Sequence, residues 1–138
     1  MKYTFDLQDE LFGLFINDTE IQKILEIKDI TDLKECMNKI RREDQSTELV
    51  NNGPKLFFSY VFVPSSTSIQ GNYQVNKNLL EFCLYGKYRY ETMKLYKAIN
   101  KVLKKNYEDM RIVSEGQVTI PIAGIYSYCF RVRPLTLS

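Results

Sequence analysis

The sequence predicts an α+β domain: a mostly antiparallel sheet of four to five strands, one long helix packed on it, and a helical N-terminal segment. Three observations carry this. Apolar residues recur at helical spacing through the first part of the chain. The pattern then switches to β-rich and period-two runs at Lys55 and Leu80. A four-turn amphipathic stripe over 88–106 separates those runs from further strand-like segments near the C-terminus.

Taken in order, Asp6 is expected as an N-cap, and Leu7, Leu11, Leu14 and Phe15 follow at the spacing of one helix face. Asp18 should cap a second short helix carrying Ile21, Ile24 and Leu25, with Glu20 adding negative charge at its start. Ile30, Leu33, Met37 and Ile40 mark a third amphipathic stretch, followed by a polar run from Arg41 to Asn52 that the breaker Asn51–Pro54 closes. The run LFFSYVFV, Leu56 to Val63, is too short and too β-rich for a helix. It reads as a strand within 55–63 that is apolar on both faces. The polar segment 64–76 is expected to be a loop of the length that is usually functional or mobile, with Ile69, Tyr73 and Val75 spaced to dock on a partner.

Leu80, Phe82 and Leu84 alternate with Glu81, Cys83 and Tyr85, the signature of a strand over 77–86 with one core face, ended by Gly86. From Tyr88 to Asn106, Thr92, Leu95, Ile99, Val102 and Leu103 hold one helical stripe, while Lys94, Lys97, Lys101 and Lys104 hold another. Ser114, Glu115 and Gly116 are expected to form a hairpin turn between Met110–Val113 and Val118–Ile122 within 109–122, with Pro121 placing the second strand at an edge. The last strand, within 124–133, puts Tyr126, Tyr128, Phe130 and Val132 on one side and Ser127, Cys129, Arg131 and Arg133 on the other. The expected core is Leu80, Phe82, Leu84, Leu95, Ile99, Val102, Tyr128 and Phe130. The 138 residues suit a single domain, 1–138, with a helical part, 1–52, and a sheet-plus-helix part, 53–138.

Composition narrows the function. With 44% hydrophobic and 26% charged residues the chain has the make-up of a soluble globular protein, and it needs no cofactor to fold. Nineteen basic against 17 acidic residues, a net charge of +2, make a generally basic nucleic-acid binder a poor default. The start MKYTFDLQDELF lacks a secretory h-region, and no apolar run approaches a membrane span, so no membrane partner is expected and synthesis in the cytoplasm is. The chain has no histidine, which removes the usual general base, zinc ligand and partner of a Ser or Cys nucleophile. No phosphate-cradling glycine cluster is present, and the expectation is a protein without catalytic, cofactor or metal residues. Cys36, Cys83 and Cys129 are widely spaced and read as small buried hydrophobes from a reducing compartment.

The lysine stripe suits two roles, contact with passing DNA or an ordinary solvated face. The strand 56–63 shows Leu56, Phe58, Tyr60 and Phe62 on one face and Phe57, Ser59, Val61 and Val63 on the other. Both faces therefore need cover, from the chain's own helices or from a neighbouring subunit.

The order of these elements resembles the tail-terminator and head-tail joining proteins of long-tailed (siphovirus-like) bacteriophages. The stretches that carry the resemblance are DELFGLFINDTEIQKILEI at 9–27, PKLFFSYVFVP at 54–64, NLLEFCLYGKYRYETMKLYKAINKVL at 78–103 and GIYSYCFRVRPLTL at 124–137. The helix at 30–42 and the polar run after it depart from the shortest members. The resemblance implies a non-enzymatic virion protein of the tail or neck. It would form a homo-oligomeric ring, expected to hold six copies, that caps the tail tube protein and docks on the head connector or stopper protein. On that reading the subunit interface comprises Phe57, Val61, Glu81 and Tyr85 facing a neighbour's Arg131 and Arg133, and the lysine face lies toward DNA. Two alternatives stand beside it: a head-completion or stopper connector protein, and a small bacterial nucleic-acid-binding or regulatory α+β domain.

Overall fold

A computed structural model describes residues 2–42, 54–63, 75–76, 79–107, 110–117, 124–133 and 136–137. The fold is α+β, built on a five-stranded, mostly antiparallel sheet. Strand β1 (Lys2–Tyr3) leads into α1 (Thr4–Asn17), α2 (Thr19–Ile24), α3 (Leu33–Lys39) and β2 (Ile40–Arg41). Strands β3 (Leu56–Val63), β4 (Val75–Asn76) and β5 (Leu79–Gly86) precede α4 (Arg89–Asn106), and β6 (Ile112–Gln117), β7 (Tyr126–Val132) and β8 (Thr136–Leu137) follow it. The main sheet has the order β2-β3-β5-β7-β6, with β2 parallel to β3 and every other pair antiparallel. A second, three-stranded sheet, β1-β8-β4, ties both ends of the chain to the segment just before β5.

Local chemistry starts and stops the helices. Asp18 caps α2 by accepting from the Ile21 N–H at 3.0 Å, and Asp32 caps α3 by accepting from the Glu35 N–H at 3.3 Å. Helix α1 begins at Thr4, ahead of the expected cap, so Asp6 lies in its first turn, where a carboxylate favours the positive end of the helix dipole. Leu7, Leu11 and Phe15 are buried as their spacing predicts. Of the third expected stripe only Ile40 faces the core: Ile30, Leu33 and Met37 are exposed, Leu33 by 60%, and Cys36 is the buried residue of α3. The helix ends at Lys39, and Ile40 is held inward by pairing with Phe58 across β2 and β3.

On the core face, Leu56, Phe58, Tyr60, Leu80, Phe82, Leu84, Phe130 and Val132 meet the buried stripe of α4 and the apolar sides of α1 and α2 in one cluster. The N-terminal helices thus share one core with the sheet. Phe15 inserts edge-on between Phe58, Tyr60 and Phe82, with centroids 5.3, 5.6 and 6.0 Å away, and the Phe82 and Phe130 rings stack at 4.8 Å. The Tyr60 hydroxyl donates to the Gln8 carbonyl at 2.8 Å, fastening α1 to the middle of β3. Burial pushes the Tyr60 phenol well above its ordinary pKa.

Three further expectations change. Tyr128 is half-buried and meets Tyr96 edge-on at 5.1 Å, outside the fully buried core. Ser114, Glu115 and Gly116 form no hairpin turn: β6 runs through them, paired with β7 and outermost among the described strands, with an irregular step between Ile112 and Ser114. Backbone pairing with β7 outweighs the local turn preference of Ser-Glu-Gly, and the Tyr96 hydroxyl on α4 donates to the Glu115 carboxylate. Val75 and Asn76, placed in the loop by sequence, are strand β4, with Val75 opposite Leu137. Residues 64–74, including the proposed docking residues Ile69 and Tyr73, lie outside the described residues, as do the polar run 43–53 and the expected strand 118–122.

Candidate functional site

The second face of the main sheet gathers five of the six residues that sequence reasoning assigned to a subunit interface. Alternation places Phe57, Ser59 and Val61 of β3, Glu81, Cys83 and Tyr85 of β5, and Ser127, Cys129 and Arg131 of β7 there. Register arranges them in three rows across the strands: Phe57–Tyr85–Ser127, Ser59–Cys83–Cys129 and Val61–Glu81–Arg131. Among the described residues, the buried apolar side chains of the helices all join the cluster on the opposite face, from which Phe57 is absent although it is 1% exposed.

Each row has its own chemistry. In the first, Phe57 stacks on Tyr85 with centroids 5.1 Å apart, and the Arg41 guanidinium lies 4.2 Å from the centre of the Phe57 ring. Burial raises the Tyr85 phenol pKa well above its ordinary value, with the nearby cysteines adding to the effect. In the third row, Arg131 Nε donates to Glu81 Oε2 at 2.6 Å. The sequence reading placed Glu81 and Arg131 on two surfaces that meet between subunits; instead they are cross-strand partners on one surface of one subunit. Only register, which parity alone does not reveal, makes that pairing visible. Arg133 is exposed at the end of β7, and its N–H donates to the Arg111 carbonyl.

The middle row brings Cys83 and Cys129 directly opposite each other, both half-buried. The Cys83 thiol donates to Glu81 Oε1 at 3.7 Å, and the neighbouring Cys129 sulfur and burial, with the Glu81 charge adding, raise its pKa. The neighbouring Cys83 lowers the pKa of Cys129, with Ser127 and the Arg131 charge in the same direction and burial and the Glu81 charge opposing. The Ser127 hydroxyl oxygen, in a residue 1% exposed, has no conventional hydrogen-bond partner; it faces the Cys129 sulfur, a weak acceptor. The expectation that these two cysteines are plain buried hydrophobes therefore fails, whereas Cys36 fits it, being fully buried.

A second surface surrounds the start of α4. A cavity of about 660 Å³ draws Lys23, Lys39, Lys55, Lys87 and Lys94 from separate segments of the chain, against Glu26 and Glu91. Tyr88 and Tyr90, 64% and 68% exposed, stand at its rim. Of the expected lysine stripe, Lys94 joins this cleft with its ammonium 4.5 Å from the Tyr90 ring centre, and Lys101 pairs with Glu20 at 3.5 Å. Lys97 and Lys104 are exposed farther along the helix. Sequence spacing found the helical lysines but not Lys23, Lys39 and Lys55, which reach the cleft only through the packing of α2, α3 and β3.

Among the described residues no cluster of three or more Cys, Asp or Glu side chains could hold a metal ion, and no helix is long and apolar enough to cross a membrane. Set against models of known protein families and against curated protein sequences, the chain matches none.

Proposed function

We propose that this chain is the subunit of a ring, six copies around, that closes the tail tube of a long-tailed bacteriophage and joins it to the head connector, and that it is a virion part with no catalytic role. The observation that carries the reading is the outermost strand of the sheet among the described residues. Among the described residues β6 pairs only with β7, and it leaves Ile112 and Val113, 39% and 45% exposed, on that edge. An apolar edge strand invites pairing with another chain, and a closed ring satisfies every such edge without growing into a fibre. The exposed Leu33 and Met37 of α3 provide apolar surface for the other side of a head-to-tail contact. The order of elements, with one long helix between the second and third long strands, adds the resemblance noted in the sequence.

The pairing of Glu81 with Arg131 moves the proposed contact away from a Glu81-to-Arg131 bridge between subunits and toward β6 and Arg133. The test is electron microscopy of particles from a phage carrying an amber codon in this gene. Tails that fail to join heads, or tubes that overgrow, are expected; normal infectious particles would refute the function. Heads that leak DNA beside normal, capped tails would favour the head-completion or stopper role instead.

The lysine cleft favours one second reading, a nucleic-acid-binding domain, because cationic side chains beside two exposed tyrosines suit phosphates and stacked bases. A gel shift with single- and double-stranded DNA across a salt series separates the two. Binding that weakens steeply with salt supports it, and no shift at low salt removes it.

A further inference from the structure

The three cysteines occupy two different environments, and the difference has chemical consequences. Cys36 is fully buried, its sulfur 3.7 Å from the Ile30 carbonyl, and burial together with Glu35, Asp32 and Asp29 raises its thiol pKa. Cys83 and Cys129 are half-buried, lie on the same sheet face and are direct partners on adjacent antiparallel strands. Directly opposed residues in such a pair have Cα atoms roughly 4.5–5.5 Å apart, inside the span of about 4.4–6.8 Å that a disulfide bridges. Both are free thiols here.

The surroundings are also asymmetric. The Glu81 carboxylate stands 3.7 Å from the Cys83 sulfur, where it disfavours a second negative charge. At Cys129 the neighbouring Cys83 and the Arg131 charge favour the thiolate, against burial and the Glu81 charge. It also faces the Ser127 hydroxyl, whose buried oxygen lacks a conventional partner. A thiolate at Cys129 is a strong acceptor and would give that hydroxyl the partner it lacks.

We propose that Cys83 and Cys129 form a two-electron redox site that takes hydrogen peroxide, with Cys129 as the attacking sulfur and Cys83 as the resolving thiol. The Cys129 thiolate attacks one peroxide oxygen; the S–O bond forms, the O–O bond breaks and hydroxide leaves, to be protonated to water. Cys129 is then a sulfenic acid. The Cys83 sulfur attacks the Cys129 sulfur, the S–S bond forms, the S–O bond breaks, and the thiol proton of Cys83 leaves with the oxygen as a second water. In total, two thiols and one peroxide give one disulfide and two waters, the two sulfurs supplying both electrons. A small thiol restores the pair by exchange. The product cross-links β5 to β7 within one subunit, so the proposal is independent of ring assembly.

The test uses the purified, reduced full chain exposed to hydrogen peroxide, followed by alkylation and intact-mass and peptide mass spectrometry under non-reducing conditions. The expected product is monomeric, lighter by two hydrogens, carries a Cys83–Cys129 linked peptide, and takes one alkyl group where the reduced chain takes three. Its Tm should rise by on the order of 10 °C and return on reduction. Cys36→Ser should leave the reaction unchanged. In Cys83→Ser, Cys129 should be trapped by dimedone as the sulfenic acid, and in Cys129→Ser, Cys83 should not, with circular dichroism confirming that each variant is folded. Three alkylatable thiols after peroxide treatment, or cross-linking between chains through Cys36, would overturn the site. Trapping at Cys83 but not at Cys129 would overturn the assignment of roles.

Discussion

Replacing Gly86 with alanine puts a methyl group where β5 hands over to α4, and the surroundings leave no room for it. A Cβ built there would lie 2.5 Å from Thr92 Oγ1 and 2.8 Å from Leu56 Cδ1. Thr92 is fully buried and its hydroxyl donates to the Tyr88 carbonyl at 3.0 Å, so it cannot rotate away without abandoning that bond in the first turn of α4. Overpacking of this kind costs roughly 1–3 kcal/mol, and we expect Gly86→Ala to fall in that range. Thr92→Ala alone loses a hydrogen bond and some buried carbon, for about 1–2 kcal/mol, but it also empties the space that the new methyl needs. The double variant should therefore be less destabilised than the sum of the singles by about 1 kcal/mol, the remainder being the contact with Leu56. Urea unfolding followed by circular dichroism measures all four proteins, and an unchanged m-value licenses the comparison of midpoints. A Gly86→Ala effect below about 0.5 kcal/mol, or strict additivity with Thr92→Ala, would refute the steric argument.

Other consequences follow from the same structure. Ile99 is fully buried in α4, and truncation to alanine removes three carbons, so Ile99→Ala should cost ~2–5 kcal/mol in urea unfolding while Lys97→Ala on the exposed face stays within about 0.5 kcal/mol. Tyr60→Phe should lose about 1–2 kcal/mol, because the Gln8 carbonyl forfeits its donor with packing otherwise kept; an unchanged urea midpoint would show that the α1–β3 fastening is not energetic. Burial, with the Glu115 hydrogen bond adding, pushes the Tyr96 phenol up to about 12, against about 10 when unfolded. A folded pKa above the unfolded one means the native state holds the proton longer. That stability is complete below about pH 10 and is lost as pH rises toward 12. Tyr96→Phe should make the fall in the urea midpoint between pH 9 and 11.5 shallower, and an identical slope would remove Tyr96 as a contributor.

Much of the fold was legible because it is written in short-range periodicity. The stripe of Thr92, Leu95, Ile99, Val102 and Leu103 named the long helix and its buried side together, and Asp18 named a helix start. The two-faced character of 56–63 and the alternation of 79–86 identified two central strands and their core faces. Local preference misled at Ile30, Leu33 and Met37, which are exposed while Ile40 of the same stripe is buried, and at the Ser114–Gly116 turn, where pairing decides and Gly116 stands opposite Cys129.

The sequence by itself determined which residues alternate, which faces are apolar and which chemical groups are missing, histidine first among them. Only the tertiary structure decided who stands opposite whom. It set Glu81 against Arg131 within one subunit, brought Cys83 against Cys129, and drew lysines from separate elements into one cleft. The division has one physical cause. Periodicity is a property of neighbouring residues on one segment, whereas strand register and the docking of helices are set by long-range packing, where sliding a strand by two residues keeps every face and changes every partner.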